Sequence, residues 1–144
     1  MIVSEKTLSK RRLVINENVM NYFREIISKE SFGIETGGII VGELKPLDNA
    51  IIITDISVPY ENDSRGKFHF NRKPDGHQEY MDELWEKSGF KKMYLGEWHT
   101  HNQSKPFPSY IDVNNWKRIE QRNHVAPEMF FVIVGTKKSL FGMY

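Results

Sequence analysis

The chain contains no cysteine. Disulfides, thiolate metal sites and a cysteine nucleophile are therefore excluded, and a bound metal has only nitrogen and oxygen ligands to draw on. Long hydrophobic runs are missing as well. No apolar stretch reaches the roughly 18–20 residues needed to span a bilayer. The opening MIVSEKTLSKRR lacks the apolar core that precedes a signal cleavage site. The expectation is a cytoplasmic protein with no membrane partner. Charge of one sign is also lacking: 20 Lys and Arg stand against 19 Asp and Glu, a net of +1. No global field draws nucleic acid, and the short run Lys10-Arg11-Arg12 reads as a solvated terminus.

No internal repeat, low-complexity tract or linker interrupts the sequence. With 144 residues, 39% apolar and 27% charged, a single domain over 1–144 has room for a real core. RRLVIN (11–16) reads as a first strand. Asn16 or Asn18 then caps a helix over 17–30, in which Val19, Met20, Phe23, Ile26 and Ile27 recur at helical spacing. TGGIIVGEL (36–44) and AIIITDISV (50–58) are β-branched runs joined by the turn composition KPLDN, a central hairpin. Residues 59–73 are polar except for KFHF (67–70), which reads as a strand inside a surface loop.

Pro74-Asp75 opens a second helix, with Gln78 placed as in a capping box and Gly89 at its end. Met81, Leu84, Trp85 and Ser88 form its inward face. KMYLGEWHTH (92–101) is a strand and SKPFP (104–108) a rigid loop. A third helix runs from Ser109 to about Arg122, with Val113, Trp116 and Ile119 inward, and 129–136 and 139–144 close as a hairpin. Alternating helices and strands, with hairpins among them, define an α/β class with a mixed sheet in two or three layers.

The chemistry concentrates in GEWHTHNQSKPFPSYID. In a strand, residues i and i+2 share a face, so His99 and His101 project together and Thr100 points away. Two imidazoles so placed can hold one ion, and Asp112, in the first turn of the next helix, can close a third corner. His, His and Asp leave a fourth tetrahedral position open, the pattern of a catalytic zinc and not of a structural one. Taken alone, Ser109 and Asp112 also make an ordinary helix cap. His69, His77 and His124 have no partner at ligand spacing and read as structural or exposed, and Trp85, Trp98 and Trp116 read as core. Glu97 shares the His99 face, where it is either a hydrogen-bond acceptor for an imidazole N–H or a member of a salt bridge.

The combination H-x-H-x(7)-S-x-x-D in HTHNQSKPFPSYID resembles the signature of the JAMM (MPN+, JAB) zinc metalloproteases. GIETGGIIVGE supplies the glutamate that the signature also needs, Glu35, ahead of Gly37-Gly38 and an apolar run. The LGEWHTH…PFPS wording is most similar to the short prokaryotic JAB isopeptidases of CBASS antiphage operons. One departure is Asn102, where many members have proline directly after the second histidine.

The resemblance implies a single JAB/MPN domain with a mixed central sheet flanked by helices, of the cytidine-deaminase-like kind. It implies zinc on His99, His101 and Asp112, Glu35 as proton shuttle and Ser109 as oxyanion donor. The implied reaction cuts the bond after the C-terminus of a ubiquitin-like protein or a conjugated protein, in CBASS the nucleotidyltransferase. Its substrate would bring an extended C-terminal tail to the metal, and KFHF is the expected edge for that tail. Two alternatives stand beside this: a hydrolase that processes a sulfur-carrier protein, and a non-catalytic MPN binding module. The intact Glu, His, His, Ser, Asp set argues against the module. The other zinc classes lack their marks here, with no H-E-x-x-H and none of the cysteines of the deaminases.

Overall fold

The structure is a computed structural model and describes residues 2–4, 11–28, 33–136 and 141–144. In chain order these form β1 (Ile2–Ser4), β2 (Arg12–Ile15), α1 (Glu17–Ile27), β3 (Gly37–Lys45), β4 (Ala50–Ile56), β5 (Ser64–Arg65) and β6 (Phe70–Asn71). There follow α2 (His77–Lys87), β7 (Met93–Thr100), α3 (Tyr110–Arg122), β8 (Phe130–Val134) and β9 (Phe141–Met143). Seven strands make one sheet in the order β1-β9-β8-β7-β3-β4-β2, and β5 and β6 pair separately. β3 runs antiparallel to both β4 and β7, whereas β8 is parallel to β7 and β2 is parallel to β4. The sheet is therefore mixed, as the alternation of elements predicts.

The period-two alternation of β8 explains the layering. Phe130, Val132 and Val134 join Val19, Phe23, Ile26 and Ile27 of α1 in one core, with Trp98 and Leu95. Phe131 and Ile133 face the other way, onto Trp116 of α3 and Met129. A strand covered on both faces must be apolar throughout, and FFVIV is. Fully burying a side chain such as Phe23 is worth about 1.5–3 kcal/mol, so this core dominates the stability of the domain. Among the described residues, no helix is long and apolar enough to cross a membrane.

Several expectations change. Asn16 occupies the N-cap position of α1 without a side-chain capping bond, and Asn18 Nδ2 instead donates to Thr54 O at 3.2 Å. The last predicted residues of that helix, 29 and 30, lie outside the described residues, as do 137–140 in the final hairpin. Only half of the expected capping box forms, one residue later than predicted: Gly76, at φ 81, donates its N–H to Glu79 Oε2 at 2.6 Å and has no side chain to return a bond. A glycine tolerates that positive φ, which a residue with a Cβ would resist.

Trp85 is not core. It is 39% exposed and lies against Phe90, with ring centroids 5.3 Å apart, because α2 meets the sheet mainly through its buried first residue, His77. Of KFHF only Phe70 lies in a strand, as the first residue of β6. Gly66 N–H donates to His69 O at 2.9 Å, so Lys67 to His69 form the turn between β5 and β6, and Phe68 stands 80% exposed at its tip.

Candidate metal centre

The β3–β7 register builds the site. Gly37 pairs with His99 and Gly38 with Trp98. Continued outward, that register sets Thr36 beside Thr100, where Thr100 N–H donates to Thr36 O at 2.8 Å and Thr36 N–H to Thr100 Oγ1 at 2.9 Å. Glu35 then falls opposite His101. His101 N–H still donates to Val134 O at 3.0 Å, so the backbone stays extended through both histidines. Thr100 points inward and is fully buried, which leaves the two imidazoles together on the α3 face.

Asp112 arrives from the first turn of α3. Ser109 is the N-cap: its Oγ accepts Asp112 N–H at 3.1 Å, and its own N–H donates to Asp112 Oδ2 at 2.7 Å. The cap and the ligand set therefore use the same carboxylate. His99 Nε2 lies 3.3 Å from Asp112 Oδ1, His101 Nε2 lies 3.2 Å from Asp112 Oδ2, and the two Nε2 atoms are 3.1 Å apart. Ligands about 2.0–2.1 Å from a tetrahedral ion are separated by roughly 3.3 Å along each edge. The two imidazole nitrogens stand at about that spacing from each other and each from a different oxygen of the one carboxylate, and this is the group among the described residues able to bind a metal.

Electrostatics agree with the geometry. Burial would raise the Asp112 carboxyl, yet hydrogen bonds from His101, His99 and the Ser109 N–H hold it well below the usual range. Burial disfavours the His101 imidazolium, and the carboxylates of Asp112 and Glu35 outweigh it and raise that group. Glu35 is only 4% exposed. Burial pushes its carboxyl up to about 7, with Asp112 adding to the rise and His101 and the Asn102 backbone N–H opposing it.

All five residues expected from the sequence, Glu35, His99, His101, Ser109 and Asp112, line one cleft. One wall is the β5–β6 hairpin with Phe68 and His69, and the other is an α3 stripe of Ile111, Asn115 and Arg118. A more apolar groove between α2 and α3, lined by Met81, Trp85, Tyr94 and Ile119, holds none of the five. Glu97 joins a salt bridge: its Oε1 accepts from Arg72 Nε at 2.8 Å, Arg72 Nη2 at 2.6 Å and Tyr94 Oη at 2.9 Å.

Two features were missed by sequence reasoning. Asn102, noted only as a departure, bonds to the hairpin through its side chain. Ser57, Asp63 and His77 form a buried chain. Ile39 N–H donates to Ser57 Oγ at 2.8 Å, which leaves the hydroxyl proton for His77 Nδ1 at 2.7 Å and His77 Nε2–H for Asp63 Oδ2 at 2.7 Å. Their separations in sequence follow no recognisable motif, and only the fold brings them together.

A mixed sheet with a metal-competent His–His–Asp group at a strand end defines the class of protein. The chain belongs to the family of prokaryotic homologs of the JAB domain, whose model matches residues 21–143. Its relatives include proteins named CD-NTase/cGAS isopeptidase. The one from Vibrio cholerae serotype O1 is 37% identical over 109 residues, 75% of this chain and 66% of the relative. The one from Escherichia coli strain TW11681 is 38% identical over the same shares, and the one from Pseudomonas aeruginosa is 29% identical over 123 residues, 85% and 77%. The chain thus spans just under two thirds of the length of the first two. The solution structure of a Desulfitobacterium hafniense protein is similar in fold, with a TM-score of 0.56 at 18% identity over 84% of this chain and 73% of that one.

Proposed function

We propose that this chain is a cytoplasmic zinc-dependent isopeptidase. It hydrolyses the amide that joins a protein's C-terminal carboxyl to an amine of its target. The observation that carries the reading is the convergence of His99, His101 and Asp112, with one ligand atom of each within 4.8 Å of the others, in one cleft with buried Glu35. Relatives named CD-NTase/cGAS isopeptidase support a conjugated nucleotidyltransferase as the protein released.

His99, His101 and Asp112 would hold the zinc, which when bound supplies a Lewis acid able to activate water and polarise a carbonyl near neutral pH. The chain's own groups handle protons and position. Glu35, with its carboxyl near 7, accepts a proton from the attacking water and delivers it to the leaving nitrogen. The water oxygen bonds to the carbonyl carbon as the C–N bond breaks, which yields a carboxylate and a free amine. Ser109 Oγ is occupied as an acceptor by Asp112 N–H, so its hydroxyl proton is free to donate to the developing oxyanion. Loss of such a donor typically costs about 10²–10³ in turnover.

The test is direct. A CD-NTase joined through its C-terminal carboxyl to the lysine side chain of a carrier protein is incubated with the zinc-loaded chain. Mass spectrometry should find the free C-terminal carboxylate and the intact lysine, chelation should stop the reaction, and zinc should restore it. Release of an amino acid from an extended sulfur-carrier protein, with the conjugate untouched, would transfer the activity to the sulfur-carrier alternative. No cleavage of either substrate by zinc-loaded protein would sink the peptidase reading.

A further inference from the structure

Asn102 follows the second histidine directly, and its side chain bonds to two other segments of the chain. Its side-chain Nδ2 donates to Lys67 O at 2.8 Å, with Gly33 O at 3.4 Å. Lys67 belongs to the turn of the β5–β6 hairpin, and that hairpin is a two-stranded sheet of its own. Isolated two-stranded hairpins are marginal in water, so its position over the cleft depends on cross-links to the main sheet. Those cross-links converge. Glu35 N–H donates to Gly66 O at 2.8 Å, Arg65 Nε donates to Glu35 O at 2.9 Å, and Asn102 holds the next residue, Lys67.

We propose that Asn102 is a positioning residue that fixes the cleft-lining hairpin relative to the end of β7 through its side-chain amide. That bond sets where the hairpin, with Phe68 at its tip, meets the substrate tail. The kinetic half of the proposal rests on the isopeptidase reading, and the structural half does not.

Two variants test the bond. Asn102→Asp matches the shape but cannot donate, and Asn102→Ala removes the side chain. Amide hydrogen exchange over 64–71 should quicken by about fivefold to tenfold in the Asp and Ala variants, the effect of one lost hydrogen bond, with zinc content unchanged. On the CD-NTase–lysine conjugate, both should raise KM by about threefold to tenfold with kcat within about twofold. A minimal isopeptide too short to reach the hairpin should keep its KM.

Unchanged exchange over 64–71 in the Asp and Ala variants overturns the proposal whatever the kinetics, as does loss of zinc from Asn102→Ala. A parental protein that cleaves no conjugate defeats the isopeptidase reading, and the exchange data then decide the hairpin claim alone. With an active parent, a kcat loss without a KM change in Asn102→Ala also overturns it.

Discussion

Gly37 is paired with His99 across the β3–β7 ladder, and that single register places Glu35 opposite His101. Glu35 and the two histidines of the proposed reaction therefore come from neighbouring segments whose alignment is set by backbone hydrogen bonds, and Asp112 joins them from the first turn of α3.

A side chain at Gly37 should disturb this arrangement. A Cβ built there would lie 2.5 Å from Trp98 O and 2.6 Å from the Phe70 ring. The carbonyl is backbone and cannot swing away, so the strands must part. Gly37→Ala is expected to lose about 1–3 kcal/mol in urea unfolding, the usual cost of overpacking, and to lower turnover further through displaced Glu35. A variant with parental stability and parental kcat would contradict the close approach.

Glu35→Gln and Asp112→Ala should fail in different ways. The purified parent should hold about one zinc per chain, because the described residues offer one ligand set. Glu35→Gln keeps that zinc and the fold, but an amide cannot shuttle protons, so turnover should fall by about 10²–10⁴. Asp112→Ala removes a ligand and should lower zinc affinity first, as read by competition with a chelator. It also removes the partner of Ser109 N–H, so some loss of helix stability accompanies the loss of metal. Equal zinc retention in the two variants would undo this division of roles.

Much of this was legible in the sequence because the groups obey local periodicities. The i, i+2 rule placed His99 and His101 on one face, and the S-x-x-D spacing placed Ser109 and Asp112 at a helix start, where they make the expected reciprocal cap. The same spacing signals a cap and a ligand, and here one carboxylate does both. Glu35 was visible only through its resemblance to a known motif, because its position opposite His101 depends on a cross-strand register that no local pattern encodes. Trp85 and KFHF were misread for a related reason. Hydrophobic character says that a side chain prefers burial, but it does not say whether a neighbouring element arrives to cover it. His77, expected to be structural or exposed, is structural: a polar residue with no motif is buried because Ser57 and Asp63 satisfy both ring nitrogens.

That buried chain carries a pH dependence. Burial would raise the Asp63 carboxyl, but the Lys73 N–H, the His77 side chain and the Tyr60 N–H together hold it below its usual value. A carboxyl depressed by folding stabilises the protein fully above its unfolded value, about 4. That stability is lost as pH falls through the lower folded value. Asn at 63 offers one acceptor oxygen where Asp63 uses two, so one of the three donors would face an amide N–H. Asp63→Asn should cost about 1–3 kcal/mol at pH 7. The gap between parent and variant, taken from urea midpoints, should narrow as pH falls below about 4. A gap that is the same at pH 7 and pH 3 would remove Asp63 from the acid limb.

Phe68 stands at a turn where an edge strand was expected over 67–70. Main-chain pairing by that run is not what the hairpin offers, since Lys67 to His69 are its turn. What it offers is an aromatic side chain, 80% exposed, on the wall of the cleft facing Ile111 and Arg118 of α3. Exposed aromatics at a cleft rim have little to do for the fold and much to do for a bound chain, because they supply large contact area at small entropic cost. Phe68→Ala should therefore leave unfolding within about 0.5 kcal/mol of the parent. It should raise KM for the CD-NTase–lysine conjugate by about threefold to tenfold, in line with a modest binding contact, with kcat and zinc content unchanged. A minimal isopeptide that does not reach the hairpin should be cut as before. If Phe68→Ala destabilises the fold by more than about 1 kcal/mol, the ring packs against the domain after all, and substrate contact is not its role.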